Sequence, residues 1–540
     1  MTLNRFIGVD VGTGSVRAAV FDRVGVLHAT SKRDISLFHN GPDIAEQSSD
    51  DIWRAVCTSV REAVLTAGCR PEEIGGLGFD ATCSLVVVGT GGAPVAVGAH
   101  GDPNRNIIVW MDHRAAGQAS RINATKHRVL DYVGGVISPE METPKLLWLK
   151  ENLPDTFASA WQFFDLADYL TWRATGSLAR SVCTVTCKWT YMAHEQRWDE
   201  SYFREIGLGD LADEDFRRIG TEIVPAGFAL GSGLTDDAAT DLGLSPGTFV
   251  GAGLIDAHAG GIGSLGGTGS VMTRMAYVFG TSACTMASSS EPIFIPGVWG
   301  PYFAAMVPGL WLNEGGQSSA GAAIDQLIAM HPASAEAEAA AVAREISVPD
   351  MLAERVASDH SSLSTAADEA GGIVVVPDFL GNRSPFADPN ARAVTAGLGM
   401  ERDLSSLVSL YVAGVLGVGY GLRQIIDASR ANGATIDAVT ASGGAGRLPL
   451  VCQLLADCAG VPVAAAPQSN PVLRGAAMLG ATACGAYPDI EAAMEAMSAA
   501  GETYYPATGA IAERHDRRFN AFEALQTAAR MVRDSHSPVE

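Results

Sequence analysis

Two glycine turns, each set inside an apolar strand–turn–strand pattern, constrain this chain more than any other feature. The first lies in Asp10-Val-Gly-Thr-Gly-Ser15, between apolar runs at residues 5–10 and 15–22. A third run at 26–32 follows a turn at 23–25, so the start reads as a β-meander. The second turn, Gly280-Thr-Ser282, sits in the same pattern at residues 268–287. A chain that writes one hairpin twice is expected to fold as two related halves, here meeting near residue 250. Length agrees, because 540 residues exceed the ~250–300 at which a single core stops growing. We predict two domains, residues 1–252 and 253–540.

Further runs at 75–80, 84–89, 107–110, 249–255, 374–377, 438–441 and 461–465 read as strands. A helix capped by Asp50 is expected to reach about residue 67, and others to start at Arg114 and to span 335–344 behind Ser334. Residues 139–244 look irregular and aromatic-rich. Strands interleaved with helices make the class α/β. The apolar stretch 407–422 is short for a membrane span and is broken by Gly414, Gly417, Gly419 and Gly421, which fits a tightly packed core helix.

Charge and cysteine usage narrow the partners. A net charge of -23 disfavours binding to a nucleic-acid backbone. The nine cysteines are scattered and form no C-x-x-C pair, a pattern of a reducing compartment. Asp10 interrupts the first apolar segment, so no signal peptide is expected. These readings predict a cytoplasmic protein with neither a membrane nor a nucleic-acid partner.

The turns also carry chemistry. In a glycine turn the backbone N–H groups can point inward and form an anion nest around Gly12 and Thr13. An aspartate at the strand end, Asp10, could hold Mg²⁺ directly or through water. An ordinary hairpin would look the same in isolation. A G-x-x-x-x-G-K-[ST] loop is excluded, because the chain has no Gly-Lys pair and no lysine after Lys188. ATP bound to the second half would be held by backbone amides, arginines and metal. Gly280, Thr281 and Ser282 form a second candidate phosphate turn. Ser442-Gly-Gly-Ala-Gly446, with Gly443, Gly444 and Ala445, forms a third glycine turn between a strand and the helical stretch 448–459.

Taken together these stretches resemble the FGGY family of carbohydrate kinases over nearly the full length. The matching segments are Gly8-Val-Asp-Val-Gly-Thr13, Trp110-Met-Asp-His-Arg114, Ser138-Pro-Glu-Met-Glu-Thr-Pro-Lys145, Gly253-Leu-Ile-Asp-Ala-His258, Glu314-Gly-Gly-Gln-Ser318 and Gly443-Gly-Ala445. Gly381-Asn-Arg-Ser-Pro385 departs from the commoner Gly-Glu-Arg-Thr-Pro. With Phe79-Asp-Ala-Thr-Cys83 it is similar to ribulokinase-like enzymes, those acting on D-ribulose above all.

The resemblance implies a two-domain fold of the actin, hexokinase and heat-shock-chaperone type, with ribonuclease H-like domains around a cleft. It implies ATP with Mg²⁺, and a small-molecule sugar as acceptor. Asp256 matches the base that takes the sugar hydroxyl proton, Asp10 the Mg²⁺-linked aspartate and Thr13 the phosphate-turn threonine. Asp80, Ala81 and Lys188 are similar to sugar-contacting positions of ribulokinases, with Glu314 and Gln317 as further candidates. Trp110, Asp112 and Arg114 would hold the sugar pocket's wall, or Asp112 would simply cap the next helix. The expected reaction is D-ribulose to D-ribulose 5-phosphate. A kinase for L-ribulose, D-xylulose or ribitol, and an actin-like or chaperone-like ATPase without a sugar, are the alternatives. A homodimer is one assembly consistent with the resemblance.

Overall fold

A computed structural model describes residues 4–267, 269–466, 470–499 and 501–535. Thr268, the first residue of the second predicted hairpin, lies outside them. The first sheet contains β1 (Arg5–Val11), β2 (Ser15–Asp22), β3 (Leu27–Asp34), β4 (Ile74–Ala81) and β5 (Phe249–Ile255). Its order is β5-β4-β1-β2-β3, antiparallel through β1, β2 and β3 and parallel through β1, β4 and β5. The second sheet contains β6 (Arg274–Phe279), β7 (Ala283–Ser289), β8 (Trp299–Phe303), β9 (Trp311–Gln317), β10 (Ala438–Ser442), β11 (Val463–Ala465) and β12 (Thr503–Tyr504). Its order is β8-β9-β7-β6-β10-β11-β12. The centres of the two sheets match: three antiparallel strands, with two parallel strands on the far side of the first of them. The repeated hairpin is thus the visible part of a repeated lobe.

The helices that matter for the site are α1 (Ser49–Thr66), α2 (Val182–Trp189), α3 (Asp256–Leu265), α4 (Leu404–Ala431), α5 (Pro449–Ala459) and α6 (Pro471–Ala483). The α1 helix is capped by Ser48, whose side chain accepts from the Asp51 N–H; Asp50 lies in the first turn instead. The helix at Ser334–Val342 is preceded by Ala333, so Ser334 opens it and does not cap it. Residues 139–244 are not irregular. They carry a run of short helices, including Glu142–Asn152, Leu166–Thr175 and α2. The apolar stretch 407–422 belongs to α4, 28 residues long and mostly buried. Its glycines are sites of close packing: a Cβ on Gly417 would lie 2.4 Å from the Val375 carbonyl oxygen, and one on Gly419 2.8 Å from the Cys458 Cβ.

The chain crosses between the lobes more than once. The β5 strand runs past residue 252 and completes the first sheet at Ile255. Helix α6 comes from the far end of the sequence yet lies directly on the first sheet, backbone against backbone at Gly8, Gly76, Gly78 and Gly251. A cut at 252/253 therefore divides a strand and separates α6 from the sheet it covers. One apolar core, containing Phe6, Leu254, Ile262, Ala276, Met286 and Leu473, is continuous across the junction.

Candidate functional site

Three parallel strands carry three carboxylates to the same edge of the first sheet. In the β1–β4 register Asp10 stands beside Asp80, and Asp256 directly follows β5, whose last residue Ile255 pairs with Ala81. Neighbouring residues in register project to the same face, so Asp10 and Asp80 share a face at the carboxyl edge of the sheet, where Asp256 follows at the end of the next strand. Asp10 is nearly fully buried and pairs with Arg17 across the hairpin. Asp80 has no exposed surface, and among the described residues neither of its carboxyl oxygens has a partner in hydrogen-bond geometry, though Asp10 lies close enough to act on it. Burial first, then the charges of Asp10 and Asp256, push its pKa well above the usual carboxylate range. Asp256 opens α3, half-buried, and its Oδ1 accepts from the Ala257 N–H at 2.7 Å. Burial and the charge of Asp10 raise it to about 7, while the Ala257 hydrogen bond, His258 and Lys188 pull the other way.

Beside these carboxylates lies a cluster of charged and aromatic side chains drawn from both lobes. Lys188, in the last turn of α2, is 6% exposed, and its Nζ sits 5.3 Å from the centre of the Trp299 ring. Among the described residues it has no ion-pair partner within 4.0 Å. Burial would lower its pKa, but Cys83, Glu314, Tyr302 and Cys187 outweigh that and hold the ammonium charged. Arg383, from the Gly381-Asn-Arg-Ser-Pro385 loop, also lies 5.3 Å from the Trp299 ring. Glu314, on β9, is bonded to His258, Oε2 to Nε2, at 3.1 Å. Against burial, that bond and the charges of Lys188, His258 and Arg383 lower Glu314 to about 2.

Strand alternation turns the side chains of two predicted sugar residues away from this cluster. Ala81 follows Asp80 on β4 and faces the other way, its methyl packed in the first-lobe core with Val9, Val11 and Leu77. Only its backbone faces the strand ends. Gln317 is three residues from Glu314 on β9 and lies on the opposite face. Its Oε1 accepts from the Tyr277 hydroxyl at 2.7 Å and its Nε2 donates to the Val418 carbonyl at 3.0 Å, so its amide is occupied within the second lobe. Asp112 is fully buried and binds the Ala45 N–H and the Arg114 guanidinium, which also reaches Glu46. This network braces the wall from behind. Cys83, Glu140, Trp299 and Arg383 were not singled out by sequence; three of them, all but Trp299, stand inside the quoted motifs, where position in the motif would have pointed to them.

The phosphate-type turns are alike in both lobes. Gly12 N–H donates to the Ser15 carbonyl at 3.0 Å, and Gly280 N–H to the Ser282 carbonyl at 2.9 Å. Thr13 is fixed by Trp110, whose indole N–H donates to Thr13 Oγ1 at 2.9 Å, and by Gln47, whose amide donates to the Thr13 carbonyl at 2.7 Å. In the second lobe the Thr281 carbonyl accepts from the N–H groups of Ala320 and Ala322. Val278 pairs with Ser442 between β6 and β10, which sets the third glycine turn beside the second. Gly443 has φ +89°, and a Cβ there would lie 2.4 Å from the Phe279 carbonyl oxygen, so glycine is required. Gly444 is exposed with open space around it. Ala445 opens the short 3₁₀ turn Ala445–Arg447; its side chain lies outside the described part.

Two matched lobes with glycine turns at corresponding strand ends, and a cluster of carboxylates and a lysine where they meet, are the architecture of a two-lobed phosphotransferase of the actin and hexokinase type. The solved structure of xylulose kinase from Rhodospirillum rubrum has the same fold, with a TM-score of 0.79 at 22% identity, covering 98% of this chain and 99% of that one. The chain belongs to the FGGY family of carbohydrate kinases: the model of the family's N-terminal domain matches residues 5–263 and that of its C-terminal domain residues 275–484. It is 47% identical to the FGGY carbohydrate kinase domain-containing protein of Homo sapiens, over 93% of this chain and 92% of that protein. It is 38% identical to a D-ribulokinase of Saccharomyces cerevisiae, over 88% of this chain and 72% of the yeast protein.

Proposed function

We propose that this protein transfers the γ-phosphoryl group of ATP to the terminal hydroxyl of a pentulose, D-ribulose before other sugars, with Asp256 as general base. The observation that carries the reading is the placement of Asp256. It stands at the lobe junction, beside the phosphate-type turn at Gly12 and within the field of Lys188, and its raised pKa suits proton acceptance near neutrality. The 38% identity to a yeast D-ribulokinase supports the choice of sugar. The lobe built on the first sheet would hold most of the sugar, and the second-sheet lobe the nucleotide, through Gly280, Thr281, Ser282, Gly443 and Gly444.

Asp256 accepts the hydroxyl proton and aims the oxygen at the phosphorus. Lys188, buried and without a carboxylate within 4.0 Å among the described residues, donates to the C2 carbonyl, and Glu314 accepts from sugar hydroxyls. Backbone N–H groups of the two phosphate turns stabilise charge on the transferred group. Lobe closure excludes water and limits hydrolysis of ATP. Mg²⁺ fits this arrangement. Among the described residues no three ligating side chains converge as a cage, and a cation carried by nucleotide needs only one or two carboxylates besides phosphate and water. Asp10 would hold it, with the Asp80 oxygens, which lack a partner in hydrogen-bond geometry among the described residues, beside it in register. Bound there, Mg²⁺ supplies neutralisation of the phosphate charge. The nine cysteines are all free, which supports a cytoplasmic setting.

Competition kinetics test the sugar assignment. A donor built for a carbonyl disfavours a pentitol by roughly 5- to 150-fold in kcat/KM, the cost of one lost buried hydrogen bond. Wild-type protein is expected to prefer D-ribulose to ribitol by that margin, and Lys188→Met to narrow it. A wild-type preference for ribitol or xylulose rejects D-ribulose as substrate. An unchanged preference in the variant rejects only the role of Lys188.

A further inference from the structure

The same three elements that carry the pocket's reactive groups also carry a buried chain of side chains behind them. Cys183 lies on α2, five residues before Lys188. His258 lies on α3, two residues after Asp256. Glu314 projects from β9 of the second sheet. Cys183 Sγ is 3.0 Å from His258 Nδ1, and His258 Nε2 is 3.1 Å from Glu314 Oε2. Cys183 and His258 have no exposed surface. Cys183 Sγ also accepts from the Ile255 N–H at 3.4 Å, at the strand end that leads into Asp256. The chain therefore links the lysine-bearing helix, the base-bearing helix and the far lobe's carboxylate.

Both ring nitrogens of His258 are used, so the imidazole does not act as the base. The charges support this. Burial would strip the imidazole of its proton, but Cys183 on one side and Glu314 on the other hold it on. A protonated ring between two acceptors is a fixed strut.

We propose that His258 is a positioning residue for the sugar: by bonding one oxygen of Glu314 across the lobe junction, it turns the other toward the pocket and ties that carboxylate's place to the helix that carries Asp256. The inference rests on the sugar-kinase reading above. Its consequence is a contribution to sugar binding that does not extend to nucleotide. Without the His258 donor, Glu314 is a buried carboxylate free to rotate or take up a proton, and a bond to a charged acceptor is lost.

Two substitutions separate the bonds. His258→Gln places an amide N–H about where Nε2 lies and keeps the donor toward Glu314. His258→Asn places one about where Nδ1 lies and keeps only the Cys183 side. With D-ribulose as the varied substrate, His258→Asn is expected to raise the sugar KM roughly 10- to 100-fold. The KM for ATP should stay within about twofold, and His258→Gln should keep the sugar KM within about threefold of wild type. Equal rises in both variants, or none in either, would overturn the proposal. The wild-type protein gives a second arm that does not depend on a variant folding. In protein labelled with ¹⁵N-histidine, the downfield Nε2–H resonance of His258 is expected to shift on saturation with D-ribulose and to hold its position with ADP alone. A resonance unmoved by the sugar would overturn the proposal in the same way. Wild-type protein without sugar-dependent turnover would instead overturn the kinase reading beneath it.

Discussion

Asp256→Ala is expected to lower kcat on the preferred pentulose by about 10²–10⁴, because the substitution removes both a base and the contact that aims the attacking oxygen. Nucleotide affinity should change little, since the glycine turns of the second lobe do not depend on Asp256. The pH profile carries the same assignment. Burial, then the charge of Asp10, raises the Asp256 carboxyl to about 7. A general base works only when deprotonated, so kcat/KM should fall about tenfold per pH unit below that value and level off above it. Near-normal turnover in a folded Asp256→Ala protein would remove the base from the account. A rate flat from pH 5 to 8 would remove the perturbed carboxyl.

A large effect on stability is expected from a methyl group added to Gly8. Its Cβ would lie 1.9 Å from the Leu473 carbonyl oxygen and 2.9 Å from the Ala477 nitrogen, both on α6. These are backbone atoms, so no side chain can swing away. Gly76, Gly78 and Gly251 meet the same helix within 2.5 Å. Together they form a flat floor on which a helix from the end of the chain rests against the first sheet. Gly8→Ala should cost about 3 kcal/mol or more and lower Tm by several degrees. Scanning calorimetry with unchanged Tm and enthalpy would mean that the helix does not bear on the sheet as described. The predicted cost also separates two explanations of Gly8, which precedes a phosphate-type turn by four residues yet is required by packing behind the sheet.

What the sequence made legible follows from how local each signal is. The hairpins around Gly12 and Gly280 depend on short-range patterning, and β1, β2, β5 and β10 lie within a residue or two of their predicted bounds. Helix α2 was hidden because its sequence, Val-Cys-Thr-Val-Thr-Cys-Lys-Trp, is rich in β-branched residues and buried on every side. Neither propensity nor a polar face marks it, and tertiary packing decides. The crossing of α6 onto the first sheet is non-local, and only its glycine partners betray it. Within the site, Asp10, Asp256, Lys188 and Glu314 converge. The Gln317 side chain points away from that cluster because side chains alternate along a strand, which a residue-by-residue resemblance does not weigh, whereas Ala81 turns only its methyl away and keeps its backbone at the strand ends. The chain Cys183–His258–Glu314 joins residues far apart in sequence and needed the folded molecule to be seen.

The central claim is phosphoryl transfer from ATP to the terminal hydroxyl of a pentulose, and the product tests it most directly. With D-ribulose, ATP and Mg²⁺ at saturation, ³¹P and ¹³C spectroscopy of the reaction should give ADP in equal amount to a phosphate monoester coupled to C5 of the sugar. Orthophosphate accumulating beside unchanged sugar, at the same rate with and without D-ribulose, would contradict it.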